Sequence, residues 1–167
     1  MLSAHFAESE LGTIGAPTAV RSNAARLARE ILEPLRVILG VPLIINTPGH
    51  TRRGYRTPEQ NAAVGGEKTS QHLDGTAADV SASGLSLYTV AQRVERARQS
   101  GKMPTVGEFI YYPYTTGHFH VSLPTRGERD VYMVKLGGES GGYANFSLAN
   151  FPRWHRKRNG GPRGGSA

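Results

Sequence analysis

Glycine and proline interrupt this chain so often that they restrict it to short elements of secondary structure. The 167 residues include 21 glycines and 10 prolines, a share that stays below the level typical of low-complexity chains. Such a sequence predicts a loop-rich fold rather than a helix bundle. The length suits one domain with its own core. Hydrophobic residues make up 38% of the chain and charged residues 20%, which argues against a wholly disordered protein.

The sequence contains no cysteine. This excludes disulfides, iron–sulfur clusters, thiolate zinc sites and a cysteine nucleophile. Any metal site must therefore be built from histidine and carboxylate side chains. No apolar run approaches the roughly 20 residues that a membrane span needs. The N-terminus lacks the basic and apolar segments of a secretory signal, so we expect a protein that is made in the cytoplasm.

The formal net charge of +7 lies largely at the C-terminus. We predict a basic, partly disordered tail over residues 151–167, with Phe151 and Trp154 docked on the body. Phosphate contacts and stacking of Trp154 on bases would suit nucleic acid, but no nucleic-acid fold signature accompanies the tail, and we rank this interpretation lowest. A solvated tail, or contact with an acidic cell wall or protein, fits as well. The basic residues of the tail are Arg153, Arg156, Lys157, Arg158 and Arg163.

Apolar spacing and capping residues predict alternating short helices and strands. The spacing of leucine and isoleucine predicts a helix from Asn23 to Leu39 with a kink at Pro34. Before it we expect a mostly irregular arm, residues 1–22, anchored by Phe6 and Leu11. The other predicted elements are a strand over Val41–Asn46, a short helix capped by Thr57, a strand over Ala77–Ser81, a helix from Ser86 to Ser100, a hairpin of Glu108–Tyr112 with His118–Leu123, and a strand over Val131–Leu136.

The segment Ser70–Asp79 carries the first candidate metal ligands. His72 and Asp79 are seven residues apart with Gly75 between them, a spacing that also fits two helical turns. Gly75 and the small residues after it favour a tight loop that enters a strand, in which the imidazole and the carboxylate can converge. On its own, such a pair is more often an ordinary loop histidine and a capping aspartate.

A second candidate lies in the sequence His118-Phe119-His120 on a predicted strand. The period of two places both imidazoles on one face and Phe119 on the other. Alone, this pattern fits a half-exposed hairpin with Phe119 in the core. Together with His72 and Asp79, the pair supplies a third nitrogen ligand. Three protein ligands leave one coordination position open, as in catalytic zinc sites.

Three motifs resemble, in the same order, those of the zinc D-alanyl-D-alanine peptidases of the hedgehog/DD-peptidase fold. They are GYRTPEQNAAVGG (Gly54–Gly66), SQHLDGTAAD (Ser70–Asp79) and HFHVS (His118–Ser122). The similarity is greatest to single-domain peptidases of bacteriophages and bacteria, and it covers about residues 5–123. It implies an α+β fold with a small, mainly antiparallel sheet, helices packed on one side, and a groove over the sheet that holds the metal. We place this domain over residues 23–150.

The resemblance also implies roles for individual residues. The ligands of one zinc ion would be His72, Asp79 and His120. His118 would stand beside the metal and stabilise an oxyanion. Arg56 would hold a substrate carboxylate or carbonyl oxygen, since a planar guanidinium can grip a carboxylate at two points. Gln71 would help Ser70 to shape the loop that aims His72, and it is a further candidate for substrate binding.

One position departs from the pattern of the family. Its members usually carry an acidic residue near the end of the strand before the last histidine, and this residue acts as the general base. Tyr111 or Tyr112 stands there in this chain, and Glu108 is the only carboxylate of the predicted hairpin. Glu108 is therefore our candidate base, and an acid elsewhere in the chain is the alternative. It shares a strand face with Tyr112, whereas Tyr111 points to the other face.

These observations lead us to expect a zinc peptidase that acts on peptidoglycan stem peptides, as a D-Ala-D-Ala carboxypeptidase or an endopeptidase. A lone domain without a signal peptide suits a phage lysis enzyme released through a membrane pore, or a wall-opening enzyme carried in the virion beside other virion proteins. The alternative is a zinc-binding structural module with weak or no activity, for example a virion component. By resemblance, the hedgehog signalling domain keeps zinc in this fold without acting as a peptidase.

Overall fold

The computed structural model describes residues 1–47, 52–113, 117–125, 127, 129–136, 141–149 and 151. The basic residues of the predicted tail, and Trp154, lie outside this part of the chain. Within it, no helix is both long and apolar enough to cross a lipid bilayer. The helices are α1 (Glu8–Leu11), α2 (Thr18–Leu27), α3 (Glu33–Leu39), α4 (Pro58–Ala63) and α5 (Leu87–Gln99), with a π-helical stretch at Ala28–Leu32 and a 3-10 turn at Gln71–Asp74. The strands are β1 (Leu43–Ile44), β2 (Ala77–Ala82), β3 (Glu108–Tyr111), β4 (Phe119–Ser122), β5 (Val131–Lys135) and β6 (Tyr143–Asn145).

A six-stranded sheet in the order β1-β2-β4-β3-β5-β6 organises the fold. Neighbouring strands are antiparallel except for β3 and β5, which run parallel. Strands β3 and β4 pair as the predicted hairpin, and β1 covers only part of the strand predicted over Val41–Asn46. Strand β6 was not predicted, because its three residues are largely exposed and show no apolar alternation. The predicted α+β class with a mainly antiparallel sheet is confirmed.

One face of the sheet carries the hydrophobic core. Phe109, Tyr111 and Phe119 are fully buried there, and the ring of Phe109 lies 5.0 Å from that of Tyr111 and 4.9 Å from that of Phe119 between centroids. The apolar stripe of α5 and the helical run over residues 18–39 belong to the same core. Phe151 is also completely buried in it. The long helices therefore pack on one side of the sheet, as predicted, and the opposite face is left to form a groove.

The first long helix begins five residues earlier than predicted. Helix α2 starts at Thr18, so Asn23 is not the N-cap but an interior residue, whose side-chain amide donates to the carbonyl of Asp74 at 3.0 Å. The expected interruption at Pro34 takes the form of the π-helical stretch directly before α3. Proline lacks an N–H group, so the carbonyl one turn earlier loses its usual partner and the local hydrogen bonding shifts.

The predicted N-terminal arm is more regular than expected, since it contains α1 and the start of α2. Phe6 and Leu11, its predicted anchors, are each only 1% exposed. Glu33 of α3 fixes the beginning of the chain: its carboxylate accepts from Ser3 Oγ at 2.7 Å, from the His5 backbone N–H at 2.8 Å and from His5 Nδ1 at 2.8 Å. The N-terminal residues thus take part in the core.

The predicted caps of α4 and α5 are confirmed. Thr57 Oγ1 accepts the backbone N–H of Gln60 at 3.3 Å, and Gln60 Oε1 accepts that of Thr57 at 3.0 Å. Ser86 Oγ accepts the backbone N–H of Thr89 at 3.1 Å. These local bonds satisfy amides that the first turn of each helix leaves without partners.

Tyr111 carries a polar atom into the apolar core. Its hydroxyl is buried and has no hydrogen-bond partner among the described residues, and burial raises its pKa well above the ordinary value. An unsatisfied buried hydroxyl costs about 1–3 kcal/mol. We therefore predict that Tyr111→Phe leaves the free energy of unfolding unchanged or raises it by about 1 kcal/mol, measured by urea denaturation.

Tyr132→Phe is the matched control for this change. The Arg98 guanidinium lies 3.8 Å from the centroid of the Tyr132 ring, and the Tyr132 hydroxyl is not among the described buried polar atoms without a partner. Removing this satisfied hydroxyl should lower the free energy of unfolding by about 0.5–1.5 kcal/mol. If Tyr111→Phe destabilises the protein as much as the control does, the Tyr111 hydroxyl has a partner and the prediction is wrong.

Glu33 should make stability depend on pH. Burial alone would raise the pKa of its carboxyl, but the hydrogen bonds from Ser3 and His5 outweigh burial and hold the pKa below its ordinary value of 4.5. A depressed pKa stabilises the fold above the unfolded-state value, and this contribution is lost as the pH falls through the folded-state pKa. Glu33→Gln should therefore cost about 1 kcal/mol at pH 7, and the difference from wild type should shrink below pH 4.5.

Urea denaturation of both proteins between pH 7 and pH 4 measures this difference. Glu30→Gln is the control, because the Glu30 carboxylate is 49% exposed in its pair with Arg26 and should contribute little. A Glu33→Gln difference that stays constant down to pH 4 would contradict the assignment.

Candidate metal centre

Three elements bring His72, Asp79 and His120 to one place. His72 lies in the 3-10 turn, after which Gly75 adopts a left-handed φ of 69° and leads the chain into β2. A Cβ at Gly75 would lie 2.7 Å from the carbonyl oxygen of Val20. Asp79 of β2 pairs directly with His120 of β4, so their side chains share one face of the sheet. One potential ligand atom from each of the three residues lies within 4.8 Å of the others.

The ring of His72 is oriented by a backbone carbonyl. His72 Nδ1 is 2.7 Å from the carbonyl oxygen of Gly54. Because a carbonyl only accepts, Nδ1 carries the proton and the Nε2 lone pair is left for a metal. That Nε2 is 3.5 Å from Asp79 Oδ1. Gly54 can lie against Leu11 because it has no side chain: a Cβ there would lie 2.3 Å from the carbonyl oxygen of Leu11.

The ring of His120 is held on both sides. His120 Nε2 is 3.2 Å from Gln71 Oε1, and Nδ1 is 3.0 Å from Asp79 Oδ1. With Nε2–H donating to Gln71, Nδ1 is the nitrogen left for a metal. Ligand atoms around a tetrahedral zinc ion are about 3.3–3.5 Å apart. The separations of 3.5 Å and 3.0 Å from Asp79 Oδ1 to the two ring nitrogens are close to that spacing.

Arg56 contacts the other oxygen of the same carboxylate. Its Nη2 donates to Asp79 Oδ2 at 2.7 Å, and both side chains are only 13% exposed. Burial alone would raise the pKa of Asp79, but His72 and His120 outweigh burial and hold the pKa well below its ordinary value. Asp79 is therefore a carboxylate with one oxygen toward the histidines and one toward Arg56. The role of Arg56 in binding substrate stays a prediction.

His118 lies beside the centre, directly before β4, but outside the group of three converging ligand atoms. Its ring stacks on that of Tyr112 with centroids 4.7 Å apart, and the Tyr112 backbone N–H donates to the His118 carbonyl at 3.2 Å. Burial lowers the pKa of His118, although the Asp79 carboxylate opposes this shift. The predicted oxyanion role of this imidazole stays a prediction, as does the substrate-binding role of Gln71.

The centre lies in a groove of about 720 Å³ on the sheet face opposite the core. Strand pairing aligns four groove residues in one row across the sheet: Asp79, His120, Ile110 and Met133. Glu108 is two residues from Ile110 along β3, so it faces the groove about 7 Å to one side of this row. Tyr112 faces the groove on the other side of the row. Tyr111 points into the core, as predicted.

The groove therefore holds few candidates for a general base. Among its described lining residues, the carboxylates are Asp79, Glu67 and Glu108. Glu108 is half-buried, and its backbone N–H donates to Ser122 Oγ at 3.0 Å. Glu67 was not singled out from the sequence, because it lies in a polar loop outside the predicted strands.

Two further features of the site were missed in the sequence. The carbonyl of Gly54 lies within the first motif, but the spacing of residues does not reveal which carbonyl contacts His72. Lys135 and Tyr143 also line the groove. They lie beyond the last motif, in strands whose pairing brings them to the site, and no local signal in the sequence marks them.

Comparison with known proteins identifies the family of this chain. The sequence profile of a family described as Peptidase M15 matches residues 4–122. A search of curated proteins gives no match to the chain. The matched range runs from the N-terminal residues to the end of β4 and contains all three converging side chains, together with Gly54, Arg56 and Gln71. The chain therefore belongs to the Peptidase M15 family, the zinc D-Ala-D-Ala peptidases that its motifs resemble.

Proposed function

We propose that this protein is a zinc-dependent peptidase that hydrolyses peptidoglycan stem peptides, as a D-Ala-D-Ala carboxypeptidase or an endopeptidase. The observation that carries the proposal is the convergence of His72, Asp79 and His120 in an open groove. Membership of a peptidase family implies a hydrolase. The similarity to single-domain phage peptidases supports action on the cell wall after phage-type release or from a virion.

The donor set fits zinc. Two imidazole nitrogens and one carboxylate are typical ligands of a catalytic zinc ion, and three protein ligands leave a position for substrate or water. The contacts of His72 with Gly54 and of His120 with Gln71 match the outer hydrogen bonds that fix metal-binding histidines. When bound, zinc supplies the Lewis acidity that activates water and polarises a carbonyl group.

The residues around the centre have complementary tasks in this proposal. Arg56 balances the charge of Asp79 and presents a guanidinium to the groove, where a carboxylate or carbonyl oxygen of the peptide can accept from it. His118 has a lowered pKa and is neutral at pH 7, so one ring N–H is available to an oxyanion. Glu108 takes a proton from water as general base.

A second candidate function is that of a zinc-binding structural module, for example a virion component, with weak or no hydrolysis. Tyr112 favours it, because this residue faces the groove at the end of β3, where the resemblance leads us to expect an acid. Burial and the neighbouring Asp79 raise the pKa of the Tyr112 phenol, so it stays protonated at neutral pH and is a poor base there. In this role the metal would stabilise the fold.

The metal centre is tested by zinc affinity, measured by competition with a chromogenic chelator. The protein should bind one zinc ion, and His72→Ala and Asp79→Ala should abolish this binding. Gln71→Ala should weaken it about 10- to 100-fold, because His120 loses the contact that orients its ring. His5→Ala is the control, since that imidazole is half-exposed and pairs with Glu33. Equal affinities of the Asp79→Ala and His5→Ala proteins would contradict the site.

Hydrolysis is tested with zinc-loaded protein and isolated cell walls. The peptidase should release D-alanine or generate new amino groups, and Glu108→Gln should lower kcat by about 10²- to 10⁴-fold. Glu67→Gln, a carboxylate in the same groove, is the matched control. If only Glu67→Gln loses activity, the assignment of the base is wrong. Stoichiometric zinc without turnover on any wall preparation would favour the structural module.

A further inference from the structure

The floor of the groove continues beyond the part of the chain that matches the family. The match ends at residue 122, yet Met133, Lys135 and Tyr143 of β5 and β6 line the groove together with the candidate metal centre. Strand β5 joins the sheet parallel to β3, and Lys135 pairs with Tyr143 across β5 and β6. This part of the groove floor, formed by β5 and β6, is therefore a feature of the present chain that the metal centre does not explain.

Lys135 places a positive charge on this part of the groove floor. It is half-buried, and its Nζ lies 4.2 Å from the centroid of the Tyr143 ring. Among the described residues, the ion pairs do not include Lys135. Tyr143 is 52% exposed and lines the groove together with Tyr112. The ring thus contacts the ammonium group by a cation–π interaction, which leaves the group able to bind an anion.

Glu108 and Lys135 place opposite charges on the two sides of the row that contains the metal ligands. Glu108 pairs with Val131 on the neighbouring strand, and Val131 is four residues from Lys135 along β5, so the carboxylate and the ammonium group stand on Cα positions about 14 Å apart. The row that contains the metal ligands runs between them. An extended peptide that crosses this row would therefore meet a negative group on one side and a positive group on the other.

The distance from the metal ligands to Lys135 determines which residue of a bound peptide would carry the anion that Lys135 binds. Two strand spacings separate His120 from Met133, and Lys135 is two residues further along β5. These steps place the Cα atoms of His120 and Lys135 about 12 Å apart. An extended chain covers about 3.3–3.6 Å per residue. The Cα separation therefore corresponds to three to four residues of an extended peptide, with the ammonium group held beside the Tyr143 ring.

We propose that Lys135 and Tyr143 form a specificity subsite that binds a carboxylate of the substrate three to four residues from the bond held at the metal centre. This inference rests on the proposed peptidase function and names its substrate class as acidic peptides. Lys135 pairs with the carboxylate, while the exposed face of Tyr143 packs against the neighbouring part of the peptide.

Peptide hydroxamates test the subsite independently of turnover, because the hydroxamate anchors one end of the peptide at zinc. Two series of peptides are used, one with the hydroxamate at the C-terminus and one with it at the N-terminus. Within each series, a single Glu is placed at each of four positions in turn, and a matched peptide carries Gln at the same position. Their dissociation constants are measured by titration calorimetry on the zinc-loaded, full-length protein. In one series, Glu three or four residues from the hydroxamate should bind about tenfold more tightly than Gln, a difference of about 1.4 kcal/mol.

Variants assign this preference to the lysine. Lys135→Ala should abolish the preference for Glu over Gln, and Lys135→Arg should keep it. Lys102→Ala, which removes an exposed lysine that does not line the groove, should leave it unchanged. A preference that persists in Lys135→Ala, equal binding of Glu and Gln peptides at every position, or no peptide binding at all would overturn the inference.

The cell-wall assay separates this result from the proposed function. If the protein hydrolyses cell walls but binds Glu and Gln peptides equally, the peptidase function is supported and the subsite is refuted. A preference that depends on Lys135, in a protein that hydrolyses no wall preparation, would support the subsite as a binding site and refute the peptidase.

Discussion

The direct pairing of Asp79 with His120 across β2 and β4 is the contact on which the site depends. Side chains alternate along a strand, so a shift of one residue in this register would turn one of the two groups into the core. The register is secured on the opposite face, where Val80 and Phe119 pair and are both fully buried. The same apolar packing that stabilises the sheet therefore aims the carboxylate and the imidazole at each other.

The second support of the site comes from the N-terminal residues. The carbonyl of Leu11 accepts the backbone N–H of Tyr55 at 2.8 Å, and Gly54, which lies against Leu11, orients His72 through its own carbonyl. Leu11 itself is buried in the core. A chain of contacts thus links the first helix to a candidate ligand, which gives a physical reason why the family match begins near the N-terminus.

Much of this arrangement could be predicted from the sequence, because short-range signals determine it. Caps at Thr57 and Ser86, the glycine turn before β2 and the period of two around Phe119 are local patterns, and the motifs add the identity of the candidate ligands. The start of α2, the strand β6 and the groove position of Lys135 could not be predicted. They depend on packing and strand pairing between segments that are distant in sequence, for which a single chain offers no periodic or capping signal.

A cation held by His72 Nε2, Asp79 Oδ1 and His120 Nδ1 would be seen most directly in a crystal structure of the zinc-loaded protein, with anomalous scattering recorded at the zinc edge. We expect a single anomalous peak in the groove, about 2.0–2.2 Å from each of these three atoms, with Gly54 still bound to His72 Nδ1 and Gln71 still bound to His120 Nε2. A peak at other residues, or coordination of His120 through Nε2 with Gln71 displaced, would refute this set of ligand atoms.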